Sequence, residues 1–548
     1  MKKKILFCTE ASWYATGYSV YTKEVLSRLS QIDEFEVAEL GCYAESSEAK
    51  GKNLPWKFYG NKPASNSPEF QAYKGNPSAQ FGDQSFNSVL LDFKPDIVMD
   101  IRDWWMIEYQ QRSPFRDFFH WSIMPTVDAE PQADQWINTY ASADSVFAYS
   151  EFGRDTIINQ CDDINFIDIA SPAASNCFSP VADKAAHKAA MGLFPNCFIV
   201  GTVMRNQKRK LYPDLMQSFR KFLDETQDAN CFLYCHTYYP DVGWELPKLI
   251  HESGLASRVL MTYKCKTCGK VSVDFFQNSI QNCPHCQSLT NHIVGIANPV
   301  SDEELASIYN CFDIYVQYAN SEGFGMPQLE AASSGLPVIS TDYSAMSSVI
   351  RNIGGFGVIP SSYYVECETG CKRAIPNNAA FINLLKELHE KKDLLPQIGA
   401  NTRAKALENY SWDKAADAWA KHFKTIEPKD PSTTWYSQPK IFQPAQNLPQ
   451  GLTSTTDAVN FIFTDILHKP EWIGGYLWKR VLRDVSFGYR CENTDKQFYF
   501  NESHVKSQNS NTPFSIQQAC EEMANFRNQL NNWENIRVQK IQQEMSSK

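Results

Sequence analysis

At 548 residues the chain is too long for a single hydrophobic core, so two or more domains are expected. Its 43% apolar and 21% charged residues are ordinary for a folded protein, and a net charge of −10 excludes a surface that is basic all over, though not a local basic groove. No run approaches the roughly 18 apolar residues of a membrane span, the opening MKKKILFCTEA turns polar too soon for a signal peptide, and the 16 cysteines show no disulfide-like framework; the expected location is a reducing one, the cytoplasm.

In chain order, Ile5–Cys8 is a short apolar run, followed by a loop of small residues containing Gly17 and an amphipathic stretch, Val20–Leu29. Strand, loop and helix of this kind open a parallel α/β sheet. The polar segment from Cys42 to Gln84 reads as a long excursion or lid. Strands are then expected at Pro95–Ile101, His120–Pro125 and Ser145–Tyr149, with helices between them. The pattern restarts at Phe198–Val203, with a basic loop, a helix at Pro213–Glu225 and a strand at Asn230–Cys235. Glu303–Asn310 (helix), Ile314–Gln317 (strand), Pro327–Ser334 (helix) and Pro337–Thr341 (strand) follow, and helices at Asn378–Lys392 and Ser411–Thr425 would close the second lobe. Two successive units predict two Rossmann-like lobes facing a cleft: a first domain over 1–190 and a second over 191–426. Residues 427–451 carry five prolines among Ser, Thr and Gln, a linker composition. Residues 452–548 read as a partly helical extension, ending in a polar helix near Ile516–Gln543.

The segment Asn320–Gly335, NSEGFGMPQLEAASSG, is the richest in chemistry. Gly323 and Gly325 let the backbone approach a ligand, and Pro327 suits the start of a helix. The N-terminus of that helix favours a diphosphate. Glu330 can accept hydrogen bonds from two vicinal hydroxyls, and Glu322 can do so on the other side of the phosphates. One glutamate for a ribose, one for a sugar and a phosphate nest between them describe a nucleotide-sugar site. This segment resembles the E-x7-E motif of retaining GT-B glycosyltransferases (the group 1, family 4-like enzymes). The resemblance implies that Glu330 binds the ribose, that Glu322 contacts the donor sugar, and that Gly323, Phe324 and Gly325 lie near sugar and phosphate. It also implies retention at the anomeric carbon, with a nucleoside diphosphate sugar as donor: UDP is expected, with GDP and ADP open.

A second signal is the basic loop GTVMRNQKRK, Gly201–Lys210. A paired Arg and Lys neutralise a diphosphate leaving group without a divalent metal. Arg205 and Lys210 resemble the Arg-x4-Lys pair of the same family and take those roles. In the first lobe, Gly17 sits where the family places its glycine loop, and Ser150–Arg154 looks like a family segment near the end of that lobe. Asp128, in MPTVDAEP, is the candidate acceptor-side group that orients or deprotonates the acceptor. Its alternatives are His120 and a plain helix-capping role.

Cys265, Cys268, Cys283 and Cys286 form C-x2-C-x14-C-x2-C, the spacing of two knuckles around a structural zinc, so a zinc ribbon over 262–291 is expected as an insertion in the second lobe. Four thiolates leave no open position for catalysis. Cys367 and Cys371 read as ordinary loop cysteines, with a second ion as the alternative. For the acceptor, a cell-envelope glycan or a protein stands against modified DNA. The sequence also resembles glycosyltransferases of tailed phages, some of which glycosylate modified bases, which here would be hydroxymethylcytosine; the location would then be the host cytoplasm. Asp103–Arg116 and Lys479–Arg490 offer the aromatic and basic residues such binding needs. A protein that had lost catalysis would be expected to have broken motifs, and both are intact.

Overall fold

The computed structural model describes residues 2–430 apart from 114 and 296, residues 434–435, and strand backbone between 472 and 507. The first lobe is built on a parallel sheet of seven strands in the order β3-β2-β1-β4-β5-β6-β7. These are β1 (Lys3–Glu10), β2 (Phe35–Cys42), β3 (Lys57–Gly60), β4 (Ile97–Asp100), β5 (His120–Ile123), β6 (Ser145–Ala148) and β7 (Phe166–Ile169). The central strands are buried on both faces, which is why they read as continuous apolar runs rather than alternating ones. Ile5 stands between Val37 and Ile97 in register. The helix Gly17–Leu29 follows β1, its first turn capped by Thr16, whose hydroxyl takes the Ser19 N–H at 3.2 Å.

Three strands of this sheet, β2, β3 and β7, were not expected. β2 was not foreseen, because FEVAELGC carries Glu36 and Glu39 inside its apolar pattern. Glu39 is nonetheless fully buried, and accepts from Trp56 Nε1 (2.8 Å), the Ser12 N–H (2.8 Å) and the Ser12 hydroxyl (2.9 Å). The expected excursion over 42–84 is therefore tied down rather than free. Its β3 pairs in parallel with β2, Ala38 opposite Lys57, and two short helices follow at Glu69–Gly75 and Pro77–Gln80.

The second lobe repeats the plan with β8 (Phe198–Val203), β9 (Cys231–His236), β10 (Val259–Cys265), β11 (Val271–Phe275), β12 (Asn291–Ile293), β13 (Ile314–Gln317), β14 (Val338–Thr341) and β15 (Phe356–Val358). The order is β11-β10-β9-β8-β13-β14-β15, with β11 and β12 antiparallel to β10. A hairpin of β16 (Ser362–Val365) and β17 (Lys372–Ile375) leaves the edge of this sheet. Its far strand meets the first lobe, where the Lys372 N–H donates to Glu130 O at 2.7 Å.

The helix Trp412–Thr425 does not close the second lobe as expected; it returns to the first. Trp419 stacks on Phe147 (centroids 3.8 Å apart), its Nε1 donates to the Tyr21 hydroxyl at 2.8 Å, and Lys3 Nζ donates to Phe423 O at 3.0 Å. Its apolar face, Ala416, Trp419, Ala420 and Phe423, is buried there. Trp435 packs against Phe115 and Phe118, so the proline-rich segment begins docked on the same lobe.

In the extension, β18 (Trp472–Ile473), β19 (Tyr476–Arg483), β20 (Ser486–Cys491), β21 (Gln497–Phe500) and β22 (Val505–Ser507) form an antiparallel meander. Strands thus replace the helical segments expected in that stretch; Phe487, Tyr489 and Cys491 alternate with Ser486, Gly488 and Arg490, a period of two. The helix expected near 516–543 lies outside the described residues. Among the described residues no helix is long and apolar enough to cross a membrane.

Candidate functional site

The two sheets present the carboxyl ends of their strands to one cleft, where doubly wound folds bind ligands. On the second lobe the loop after β13 carries Glu322, and the helix Met326–Ser333 begins directly behind it. Gly325 holds the turn at φ +88°, a conformation in which a side chain would be strained. Gly323 faces Thr126 of the first lobe so closely that an added Cβ would lie 2.2 Å from Thr126 Cγ2. Gly323→Ala is therefore expected to wedge the lobes apart and cost about 1–3 kcal/mol of stability, read as a lowered thermal midpoint. A midpoint equal to wild type would show that the contact is not tight.

Glu322 is 5% exposed and is the centre of a charged cluster. Lys210 Nζ lies against its Oε1, Gln317 Nε2 donates to the same oxygen at 3.0 Å, and Arg209 Nη2 is 3.3 Å from Oε2. Its own N–H donates to the Ser344 hydroxyl at 2.9 Å. Of the two expected cations, the structure brings Lys210 to Glu322 but directs Arg205 elsewhere. Arg205 is half exposed and makes a bidentate pair with Asp241, in the loop after β9, at 2.9 and 3.0 Å. Arg209, rather than Arg205, stands beside Glu322. Burial lowers its affinity for a proton, while Asp128 and Asp103 across the cleft oppose that shift.

One turn into the helix, Glu330 accepts from the Tyr309 hydroxyl at 2.7 Å. Burial pushes its carboxyl up to about 7, only partly offset by that bond. Gly17 lies across from the start of this helix, its Cβ direction pointing at Met326 Sδ 3.9 Å away. Phe324 is buried against Tyr410, with centroids 5.9 Å apart, and serves as packing under the loop.

The facing wall comes from the loops after β4 and β5. Tyr18 and Thr126 share a 2.8 Å hydrogen bond, and Asp103 beside them is raised to about 6 by burial and then by Asp128. Asp128 is bridged to the second lobe by Arg373 of β17, Nη1 to Oδ2 2.8 Å. The same nitrogen donates to the Ser321 hydroxyl at 2.7 Å, and Nη2 pairs with Glu366 at 2.8 Å. Asp128 therefore stands in the cleft rather than capping a helix. His120 does not: it starts β5 at the opposite end of the sheet, next to Ser145 (3.0 Å) and His422, and burial pushes it down to about 4. Ser150 caps the helix Glu151–Gln160, taking the Gly153 N–H at 3.2 Å, while Arg154 pairs with its neighbour Asp155. Arg209, Arg373, Asp103 and Tyr309 were missed by sequence reasoning; only Arg209, inside the basic loop, carried a signal.

The four cysteines converge, all sulfurs within 4.8 Å of one another. Cys265 and Cys286 sulfurs are 3.7 Å apart, and those of Cys268 and Cys283 are 3.6 Å apart. A tetrahedral ion with bonds of about 2.3 Å sets its sulfurs about 3.8 Å apart. The two knuckles mirror each other: Gly269 N donates to Cys265 O and Gln287 N to Cys283 O, each at 2.9 Å, and N–H groups of Thr267 and His285 point at the Cys265 and Cys283 sulfurs. Cys265 ends β10, one strand in from the edge strand β11, and the other three stand in the loops on either side of β11. Cys371 donates to Pro131 O at 3.0 Å and Cys367 is exposed; they join no group of candidate metal ligands among the described residues.

Residues 281–403 match the sequence family described as glycosyl transferases group 1. Among curated relatives, a D-inositol 3-phosphate glycosyltransferase of Gordonia bronchialis is 29% identical over 133 residues, covering 23% of this chain and 26% of that one. The lipopolysaccharide core biosynthesis mannosyltransferase LpsB of Rhizobium meliloti is 24% identical over 251 residues, covering 45% and 58%. The chain thus spans between a quarter and three-fifths of the length of these two relatives. Similar solved structures include sucrose-phosphate synthase of Thermosynechococcus elongatus (TM-score 0.55, 15% identity, covering 77% of this chain and 98% of that one). Another is Anabaena Alr3699/HepE in complex with UDP and glucose (TM-score 0.54, 14% identity, covering 77% and 100%). These matches support a relationship to the group 1 glycosyl transferases over residues 281–403, and the two-lobed GT-B fold.

Proposed function

We propose that the chain transfers a sugar, with retention, from a nucleoside diphosphate sugar to a glycan acceptor. The observation that carries this reading is the placing of Glu322 and Glu330 on either side of the N-terminus of Met326–Ser333, with Lys210 against Glu322. In this reading Glu330 takes the ribose hydroxyls and Glu322 the hydroxyls of the donor sugar. The diphosphate meets the helix N-terminus and Lys210, with Arg209 beside it and Arg205 recruited only by giving up Asp241. Gly17 and Gly323–Gly325 leave room for the donor between the lobes. Asp128 is the acceptor-side group, and Arg373 sets its position. UDP is the proposed nucleotide: the HepE structures of the same fold hold UDP, UDP-glucose, or UDP and glucose. A glycan acceptor is preferred to modified DNA because LpsB, by its name, acts in lipopolysaccharide core biosynthesis.

The four cysteines are proposed to hold a structural zinc, which supplies a cross-link to the 262–291 insertion and takes no part in transfer. The domain division proposed is 1–190 and 191–426, with the last helix of the second packed on the first.

Release of the free diphosphate from a panel of UDP-, GDP- and ADP-sugars tests the assignment, with glycans or hydroxymethylcytosine DNA added as acceptors. Release from one donor, stimulated by a glycan, is expected. Stimulation by the DNA alone would replace the acceptor, and release from no donor would refute the reading. The ionisation of Glu330 adds a pH signature. Vicinal hydroxyls favour the carboxylate, so donor affinity is expected to fall as pH drops through about 7, by up to about tenfold per pH unit. Glu330→Gln should bind more weakly but with a flat profile; a wild-type profile flat on both sides of pH 7 would contradict it.

A further inference from the structure

A second pocket, of about 380 Å³, opens between the lobes beside the cleft. Its walls are aromatic. Phe152 of the first lobe meets Tyr343 edge-on with centroids 5.8 Å apart, and Tyr343 meets Tyr363 of the β16–β17 hairpin at 5.1 Å. Tyr363 and Tyr364 remain 49% and 43% exposed, though they stand on a hairpin whose other strand is pinned to Glu130 and Asp128. Rings held in place yet left open to solvent are the surface of a binding site more than of a core.

The charges around these rings select the ligand. Glu130 and Asp342 supply two carboxylates, while the one cation of the lining, Lys372, has its Nζ 3.6 Å from Glu130 Oε1. A polyanion would meet net negative charge here, whereas nucleic-acid binding relies on unpaired Lys and Arg. A neutral pyranose suits both features: its C–H face packs on an aromatic ring, and its hydroxyls donate to carboxylates. The pocket is also wired to the candidate donor loop. Ser344, in its lining, accepts the Glu322 N–H at 2.9 Å, and the Tyr364 hydroxyl accepts from Asn320 Nδ2 at 3.0 Å.

We propose that this pocket is the acceptor subsite, binding a neutral hexopyranose unit against Tyr363 with its hydroxyls on Glu130 and Asp342. The role as acceptor subsite rests on the glycosyltransferase reading; the saccharide binding itself stands on the pocket alone. Saturation-transfer NMR on the full chain, with methyl α-mannoside, maltotriose and lactose as separate probes, is the test, with UDP binding measured in parallel. At least one saccharide should bind, with its signal at least tenfold weaker in Tyr363→Ala and in the near-isosteric Asp342→Asn, and with UDP affinity unchanged in both. Saccharide binding that both variants retain, binding by none of the probes, or displacement of a bound saccharide by a DNA duplex would overturn the proposal. Saccharide binding without any binding of UDP would leave the pocket assigned and refute the donor site instead.

Discussion

Replacing Lys210 with Met is expected to slow diphosphate release by about 10²–10³-fold, while UDP affinity changes far less. Lys210 Nζ is buried against Glu322 in a cleft walled by protein, where burial and then Arg209 lower its affinity for a proton. Charge that develops on a leaving diphosphate there cannot be met by water, so its stabilisation falls to groups already in place. Lys210→Arg should recover part of the loss, since it restores the charge with a different shape. Lys210→Met also strips Glu322 of its nearest cation and leaves it to Gln317 and Arg209, so some destabilisation should accompany the rate effect. A split between kcat and donor affinity separates the two: a purely structural lysine would weaken both together. Turnover within tenfold of wild type in Lys210→Met would remove Lys210 from the mechanism.

The second large effect concerns the cysteines. Purified protein is expected to carry one zinc per chain by elemental analysis, and Cys283→Ser should abolish it. Zinc bound by four thiolates contributes folding free energy on the order of 10 kcal/mol in isolated small domains. Here that energy is expected to secure a local segment rather than the lobe, because β10 is also held by its parallel pairing with β9. Metal removal should therefore make residues 266–290 sensitive to protease while UDP binding persists. Zinc-free protein with an unchanged protease pattern would show that the sulfurs assemble without an ion.

Glu322 and Glu330 could be placed together from the sequence because one loop and one helix turn separate them, where spacing alone fixes their relation. The four cysteines were legible for the same reason. Asp128 was legible as a residue type but not in its state, because its partner Arg373 is 245 positions away and nothing local signals the pair. The choice between Arg205 and Arg209 was also closed to the sequence. Four cations within six positions all suit a phosphate, and what separates them is Asp241 in the next loop, which captures Arg205. β2 was hidden by the charge of Glu39, which only Trp56 and Ser12 make tolerable inside a sheet. Local pattern reports local structure, and partners distant in the chain decide which side chain faces the cleft.

The return of Trp412–Thr425 to the first lobe has a consequence for biosynthesis. Phe147 and Trp419 are 272 positions apart, so the ribosome finishes making the rest of the first lobe long before it delivers the helix that covers it. At roughly 5–20 residues per second, that interval is roughly 14–54 s. Throughout it, the seat formed by Tyr21 and Phe147 faces water, and the nascent first lobe exposes an apolar strip that no later-folding local segment can hide. The lobe that emerges first is thus among the last to be completed.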